Sequence, residues 1–299
     1  GERRESTPTL SGSLSPAADS AAQHSIAVLP FRNQGPAEDA YLADGLTDDL
    51  IDGLSMIPSL RVRSRGAVMA QLRTINKDVP DPAELGQALG VEVLVDGAVR
   101  RAGSALRISA RLLSRDGTQL WAQRLDRPAA DALAVSDEVA QALVGALLNG
   151  QAMPQRAVMK DADAVDLYLR GRALYGAAGP DNLAEAIKLF ERALALRPED
   201  PMLLCANAMA RAKLWFFDTA AEQGALARTA AERAITLAPE RPESHLAMAM
   251  VCFYAGDAAG SLRHAKATLQ RQPNQAEALD LVGRVLAETG PVSSAMRYM

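Results

Sequence analysis

The chain has 299 residues and a formal net charge of −4; 48% of the residues are hydrophobic, while only 4% are aromatic. This length exceeds one ordinary core and predicts about two domains of roughly 100–200 residues each. The acidic balance argues against nucleic acid as a partner, because phosphate binding needs clustered positive charge. The two cysteines, Cys205 and Cys252, are too few for a disulfide framework.

Residues 1–24 are rich in Ser, Pro, Ala and Gly and show no hydrophobic period. Such a segment buries too little surface to offset its ordering entropy, so we predict a disordered linker. The sequence begins at Gly1 without an initiator Met, and we expect a longer parent protein. No run reaches the ~18 apolar residues of a membrane span, so this fragment is predicted to lack one. Location is left open between the cytoplasm and the periplasm.

A buried strand followed by an amphipathic helix begins the first domain, predicted over residues 25–150. Ile26–Leu29 forms a short apolar run, and a loop containing Gly35 follows it. Leucine and isoleucine then recur at helical spacing, at Leu42, Leu46, Leu50, Ile51 and Leu54. The other face of this helix carries four carboxylates: Asp44, Asp48, Asp49 and Asp52. A strand feeding a helix is typical of an α/β domain.

Further strands and helices alternate up to about residue 150. Short elements are predicted at Leu60–Ser64 (strand), Ala67–Thr74 (helix) and Pro82–Leu89 (helix), the last ending at Gly90. Three β-type runs follow at Val91–Arg100, Ala105–Leu113 and Gln119–Arg124, with turn signals between them, and then a helix over Ala132–Leu148. The pattern predicts a mixed sheet with a parallel start, an antiparallel meander and flanking helices.

The second half, over residues 160–299, has no strand signals and many Ala and Leu residues. Pro198, Pro239 and Pro273 each end a similar phrase, and the last two are 34 residues apart, which is the tetratricopeptide (TPR) period. The first interval is 41, so about seven extra residues are predicted around Trp215–Gly224. We predict an all-α TPR superhelix of about three repeats and a partial fourth, stabilised by stacking.

Motifs for catalysis or cofactor binding do not emerge from the sequence, so no catalytic, cofactor-binding or metal-binding residue is predicted. Neither phosphate-binding glycine pattern follows Leu29. The acidic helix has no histidine near it, and hard cations want six or more oxygen ligands. His24, His245 and His264 are far apart in sequence and are interpreted as surface or packing residues. The protein is therefore predicted not to be an enzyme by itself.

Five arginines alternate along predicted strands and allow two interpretations. They are Arg61, Arg63 and Arg65 on one strand and Arg107 and Arg111 in the meander. They either form a ligand or partner surface or pair with the acidic helix. Internal pairing is favoured, because charges of both signs usually intermix on a surface.

Three phrases carry a family resemblance: SIAVLPF, YLADGLTDDLIDGLS and the meander LGVEVLVDGAVRRAGSALRISARLL. Together they resemble the TolB amino-terminal-like domain of bacterial signalling proteins. The segment Asp163–Tyr175 is similar to the usual junction into TPR repeats, so the resemblance covers roughly residues 25–299. It implies a module downstream of a winged-helix, nucleotide cyclase or kinase domain. Such modules are similar to the periplasmic part of acid-sensing transcription activators, which sense rather than catalyse.

The resulting expectation is a non-catalytic sensory or regulatory module that binds a protein or peptide on the TPR groove. The family geometry implies candidate partner-binding residues on the first helices of the repeats: Tyr168, Arg172, Tyr175, Glu243, Leu246 and Met250. The four aspartates of the acidic helix are a candidate contact surface. The alternative is a small-ligand sensor with a pocket between the sheet and this helix. The sequence also leaves a homodimer open.

Overall fold

The computed structural model describes residues 24–75, 81–148, 159, 161–177, 179–218 and 221–289. The predicted linker lies outside these residues except for His24, which begins the first strand. The end of the predicted partial fourth repeat, residues 290–299, also lies outside them.

A six-stranded mixed sheet forms the centre of the first half. Its strands are β1 (His24–Val28), β2 (Arg32–Asn33), β3 (Leu60–Val62), β4 (Val93–Ala102), β5 (Ala105–Ser114) and β6 (Gln119–Pro128). The order is β3-β1-β4-β5-β6, and β2 pairs with β4. β1 is parallel to β3 and β4, whereas β4, β5 and β6 form an antiparallel meander. The predicted mixed sheet is confirmed; the two-residue strand β2 was not predicted.

Helices cover both faces of the sheet. They are α1 (Ala40–Ser55), α2 (Arg65–Ile75), α3 (Pro82–Leu89) and α4 (Ala132–Leu147). Side chains of α1 and α4 share one core with Ile26 and Val28, while those of α2 and α3 share another with Ala27. Successive strand residues point to opposite faces, so β1 contributes to both layers. We call residues 24–148 the α/β unit.

In the described residues that follow, seven helices each pack against the next one along the chain. They are α5 (Ala162–Ala177), α6 (Pro180–Leu196), α7 (Pro201–Asp218), α8 (Ala221–Leu237), α9 (Pro242–Tyr254), α10 (Ala258–Arg271) and α11 (Ala276–Thr289). We call α5–α11 the helical array. Pro198, Pro239 and Pro273 follow the ends of α6, α8 and α10. The predicted change from α/β to all-α is confirmed, whereas assignment of the pairs as TPR repeats stays a prediction.

The extra residues predicted near Trp215–Gly224 lengthen helices α7 and α8. α7 and α8 have 18 and 17 residues, whereas α9 and α10 have 13 and 14. Gly224 lets the two longer helices approach, because a Cβ there would lie 2.9 Å from the Trp215 indole. No described helix is long and apolar enough to cross a membrane.

The α/β unit and the helical array share one continuous core. Buried side chains of α1, α4, α5 and α6 belong to the same hydrophobic cluster, which extends to Leu214 on α7. Helix α5 lies against α1 at Gly45, where an added Cβ would approach Leu169 Cδ2 to 2.6 Å. The array is therefore packed onto the α/β unit.

Candidate functional site

Two aspartates of the predicted contact surface bind an arginine of the same chain. Arg65, the first residue of α2, lies 2.5 Å from Asp44 Oδ1 and 2.8 Å from Asp48 Oδ1. Burial alone lowers the pKa of Arg65, but the two carboxylates outweigh it and raise that pKa. These carboxylates are therefore engaged within the α/β unit, as the internal-pairing interpretation predicts.

The other two aspartates of α1 face the interior. Asp49 is buried and accepts a hydrogen bond from Ser136 Oγ at 3.4 Å. Asp52 Oδ2 lies 3.3 Å from a guanidinium nitrogen of Arg172 on α5, and the same guanidinium donates to Tyr168 Oη at 3.1 Å. The acidic face thus contributes an ion pair to the junction between α1 and the array.

The two predicted arginines of the meander, Arg107 and Arg111, pair with carboxylates on neighbouring strands. Arg107 Nε lies 2.8 Å from Asp126 Oδ1 across β5 and β6. Arg111 pairs with Asp96 on β4. Adjacent strands place opposite charges side by side. These two arginines therefore bind carboxylates on the next strand and not the aspartates of α1, which the sequence analysis favoured.

Three of the six predicted partner-binding residues are buried. Tyr168, Leu246 and Met250 belong to the hydrophobic cores of the array. Glu243 is partly exposed, and its carboxylate lies 3.9 Å from Arg241 Nε. Their role in partner binding stays a prediction, and for the buried three it would require the helices to separate.

Tyr175 lies where four first helices of the pairs converge. Its hydroxyl donates to Glu277 Oε1 on α11 at 3.3 Å and lies 3.8 Å from Met250 Sδ on α9. Lys213 Nζ on α7 lies 3.8 Å from the centre of its ring, an ammonium–aromatic contact. The inner face of the array is therefore filled by its own side chains at this level.

A cavity of about 640 Å³ opens where the α/β unit meets α5 and α6. Its wall is polar and apolar in nearly equal parts, and charged side chains supply much of the polar part. Its lining includes Leu42, Arg101, Val165, Asp166, Arg170 and Arg192. Core side chains fill the space between the sheet and α1, where the sequence analysis placed a pocket. Only Leu42 on α1, Arg101 on β4 and Ala129 come from the α/β unit.

A hydrogen-bonded network of charges borders this cavity. Tyr41 Oη donates to Asp166 on α5, and Arg101 on β4 donates to Tyr41 Oη at 2.6 Å. Asp166 also pairs with Arg101 at 3.2 Å and with Arg170 at 2.8 Å, and Arg101 lies 3.2 Å from Asp39. The network joins β4, the start of α1 and α5 through groups 60 or more residues apart.

We expect Tyr41 to lose its phenolic proton only at about pH 12. Burial is the main cause of its pKa being raised to about 12, and the carboxylate of Asp166 adds to it. The folded chain holds this proton more tightly than the unfolded one. Its contribution to stability is therefore complete below pH ~10 and is lost as the pH rises through the folded-state pKa. The difference in phenolate absorbance between wild type and Tyr41→Phe measures this pKa. A value near that of free tyrosine would contradict the network.

Two amide side chains of the array hold backbone carbonyls of the α/β unit. Gln272, buried after α10, donates to the carbonyl of Asp52 at 2.8 Å. Asn274 donates to the carbonyls of Ile57 and Leu60 at 3.3 and 2.5 Å. These partners are more than 200 residues apart in sequence, and no local pattern signals them. The array is thus attached to the α/β unit at both α5 and the α10–α11 turn.

In the described ranges, no group of three or more His, Cys, Asp or Glu side chains could hold a metal ion. Cys205 is buried, which raises the pKa of its thiol to about 12, and burial also raises the pKa of Cys252. A thiol with a raised pKa is a weak nucleophile, because the thiolate is the reactive form.

No protein-family model matches the chain. A curated relative from Rhizobium meliloti (strain 1021), named "Putative adenylate cyclase 3", is 37% identical over 186 residues. The match covers 59% of this chain and 31% of that protein. The chain therefore corresponds to less than a third of the relative's length.

Three solved structures share limited similarity with the chain. Lipoprotein GNA1162 from Neisseria meningitidis matches 35% of this chain and 79% of its own, with 21% identity and a TM-score of 0.31. The match to TolB from Acinetobacter baumannii covers 42% of this chain and 29% of TolB, with 19% identity and a TM-score of 0.33. The match to the LpoB C-terminal domain from Salmonella enterica covers 36% of this chain and 84% of that domain, with 12% identity and a TM-score of 0.29. No conclusion about function follows from these scores.

Proposed function

We propose that the chain is a non-catalytic regulatory module of a bacterial signalling protein and acts by binding a protein partner through its helical array. The observation that carries this proposal is the 37% identity over 186 residues to a relative whose printed name is an adenylate cyclase. The matched part is 31% of that relative, so the chain corresponds to one portion of the relative's length.

The helical pairs of the array, which we interpret as TPR repeats, support the choice of a protein partner. The 34-residue interval between Pro239 and Pro273 fits the TPR period, and stacked pairs form extended binding surfaces. Among the predicted groove residues, Arg172, Tyr175 and Glu243 are partly exposed. Buried Tyr168, Leu246 and Met250 would support this surface from beneath.

Exposed aromatic side chains at the ends of α7 and α9 offer a second part of the partner surface. Phe216 and Phe217 are 63% and 54% exposed, and the ring of Phe216 lies 5.7 Å from that of Tyr254. Adjacent exposed phenylalanines are unusual on a surface without a partner, and aromatic residues often dominate binding energy.

Affinity capture with the purified chain tests the proposal. A partner enriched by wild type, identified and then purified, should bind at least about tenfold more weakly to Phe216→Ser/Phe217→Ser or to Tyr175→Ala, as for hot-spot residues. Leu120→Ser is the matched control, because Leu120 is 55% exposed but lies on β6. Equal binding by all variants would contradict the array as the binding surface. Cyclic AMP formation by the purified chain would contradict a non-catalytic module.

The cavity at the junction favours a second candidate function, a small-ligand sensor. Its volume of about 640 Å³ falls within the usual range for small-molecule sites. A thermal-shift screen with metabolites and nucleotides separates the candidates, because a specific ligand raises the melting temperature by mass action. A shift abolished by Arg101→Gln but kept by Phe216→Ser/Phe217→Ser would favour the sensor. The absence of any shift would favour protein docking.

A further inference from the structure

Two of the three histidines of the chain face each other across one helical pair. His245 lies on α9 and His264 on α10, and their Nδ1 atoms are 3.3 Å apart. The rings are stacked, with centres 5.5 Å apart and planes 28° apart. The remaining histidine, His24, lies on β1 in the α/β unit. The segment between His245 and His264 forms the α9–α10 turn and the helix ends around it.

A backbone carbonyl orients the first of these rings. His245 Nε2 lies 3.0 Å from the carbonyl oxygen of Pro239, which can only accept a hydrogen bond. Nε2 therefore carries the hydrogen, and the lone pair of the neutral ring is on Nδ1, which faces His264. Histidine ligands of metals are commonly held in this way, with the second ring nitrogen donating to a carbonyl or carboxylate.

We propose that His245 and His264 together bind a divalent late transition-metal ion, with zinc as the representative case, through their two Nδ1 atoms. Two nitrogens on one tetrahedral Zn²⁺ at about 2.0–2.1 Å lie about 3.3–3.4 Å apart, which matches the observed separation. Imidazole nitrogen suits Zn²⁺, Cu²⁺ and Ni²⁺, whereas Ca²⁺ and Mg²⁺ prefer oxygen. This site is independent of the proposed partner binding.

Water molecules fill the remaining coordination positions of the ion in the proposed site. Both rings are partly buried, so one side of the pair is open to solvent. Within the described part of the chain, no third His, Cys, Asp or Glu joins this pair to form a metal-binding group. A site with two protein ligands binds more weakly than a structural zinc site with four.

A histidine ligates a metal through its uncharged ring, and burial favours that form of His264. Burial is the main cause of the lowered pKa of His264, and the neighbouring His245 and Arg263 lower it further, against the opposing effect of Asp257. On binding, the hydrogen of His264 moves from Nδ1 to Nε2. The lone pairs of the two Nδ1 atoms then replace two water ligands of the ion. Each ring then keeps one N–H, so no net proton is released and no redox partner is needed.

Metal binding to the tag-free chain tests this site. We expect one equivalent of Zn²⁺ to bind in calorimetry and millimolar Zn²⁺ to raise the melting temperature. His245→Asn and His264→Asn should each weaken binding by at least about tenfold, since even loss of an outer-sphere partner costs 10–100-fold. His24→Asn is the matched control and should bind as wild type does.

A measurement without any substitution guards against variants that fail to fold. Substoichiometric Cu²⁺ should broaden the imidazole proton signals of His245 and His264 in the wild-type chain and leave those of His24 sharp. Equal broadening of all three histidines would overturn the proposal. So would a zinc-dependent melting shift that persists in folded His245→Asn and His264→Asn proteins, or the absence of binding at millimolar Zn²⁺.

Discussion

Phe190→Ala is expected to lower the free energy of unfolding by about 3–5 kcal/mol, as for other fully buried phenylalanines. Phe190 on α6 is 0% exposed, and its ring lies 6.2 Å from that of Tyr168 on α5. The ring also covers Gly171, where an added Cβ would lie 2.5 Å from its edge. Removing it leaves a cavity between the first two helices of the array, the first of which packs against α1. Urea denaturation followed by circular dichroism measures the change.

Phe217→Ala makes the same chemical change at an exposed position. Phe217 is 54% exposed at the end of α7, so we expect its loss to change stability by no more than about 0.5 kcal/mol. Similar destabilisation by the two variants would show that α5 and α6 are not packed as described. A large effect of Phe190→Ala alone supports the packing of this pair.

Asp52→Ala is expected to cost about 3 kcal/mol of stability. The substitution leaves the guanidinium of Arg172 without its aspartate partner in a largely enclosed site, and such losses typically cost 3–5 kcal/mol. The side chains of Arg172 and Asp52 are only 18% and 25% exposed, so water replaces the lost contact poorly. We place the effect at the lower end because Tyr168 Oη still accepts from Arg172.

Two further variants isolate the role of this ion pair. The double substitution Asp52→Leu/Arg172→Met should recover most of the lost stability, because apolar replacements of both partners remove the stranded charge. Asp126→Ala breaks the exposed pair with Arg107 on neighbouring strands and should leave the unfolding midpoint nearly unchanged. A double variant no more stable than Asp52→Ala would contradict a stabilising, partly buried ion pair at the junction of α1 and α5.

Local patterns predict most elements of this fold because each element repeats its own signal. Leu106, Ile108, Ala110 and Leu112 alternate along β5, and all four are buried in the sheet. Helix α3 begins after Asp81, whose side chain caps it, and ends at Gly90 with a positive φ of 62°. Strand β2 was not predicted, because a run of two residues is too short to show a hydrophobic period. It pairs with β4, which is distant from it in sequence.

The candidate site was less predictable, because its contacts join distant parts of the chain. The acidic face of α1 was visible in the sequence, but its cations come from different elements: Arg65 on α2 and Arg172 on α5. The predicted groove residues were chosen by helical position alone. Position on a helix cannot tell a groove-lining side chain from one buried between helices, as Tyr168 and Met250 are.

The sequence by itself determined the change from a mixed α/β unit to helical pairs, since hydrophobic period, caps and turns act within a few residues. Tertiary structure alone decided how the two halves meet. Gln272 and Asn274 reach carbonyls more than 200 residues away, and the histidines of α9 and α10 face each other only because those helices pack side by side. Such contacts depend on the relative placement of whole helices, which arises from burial summed over many side chains and leaves no local pattern.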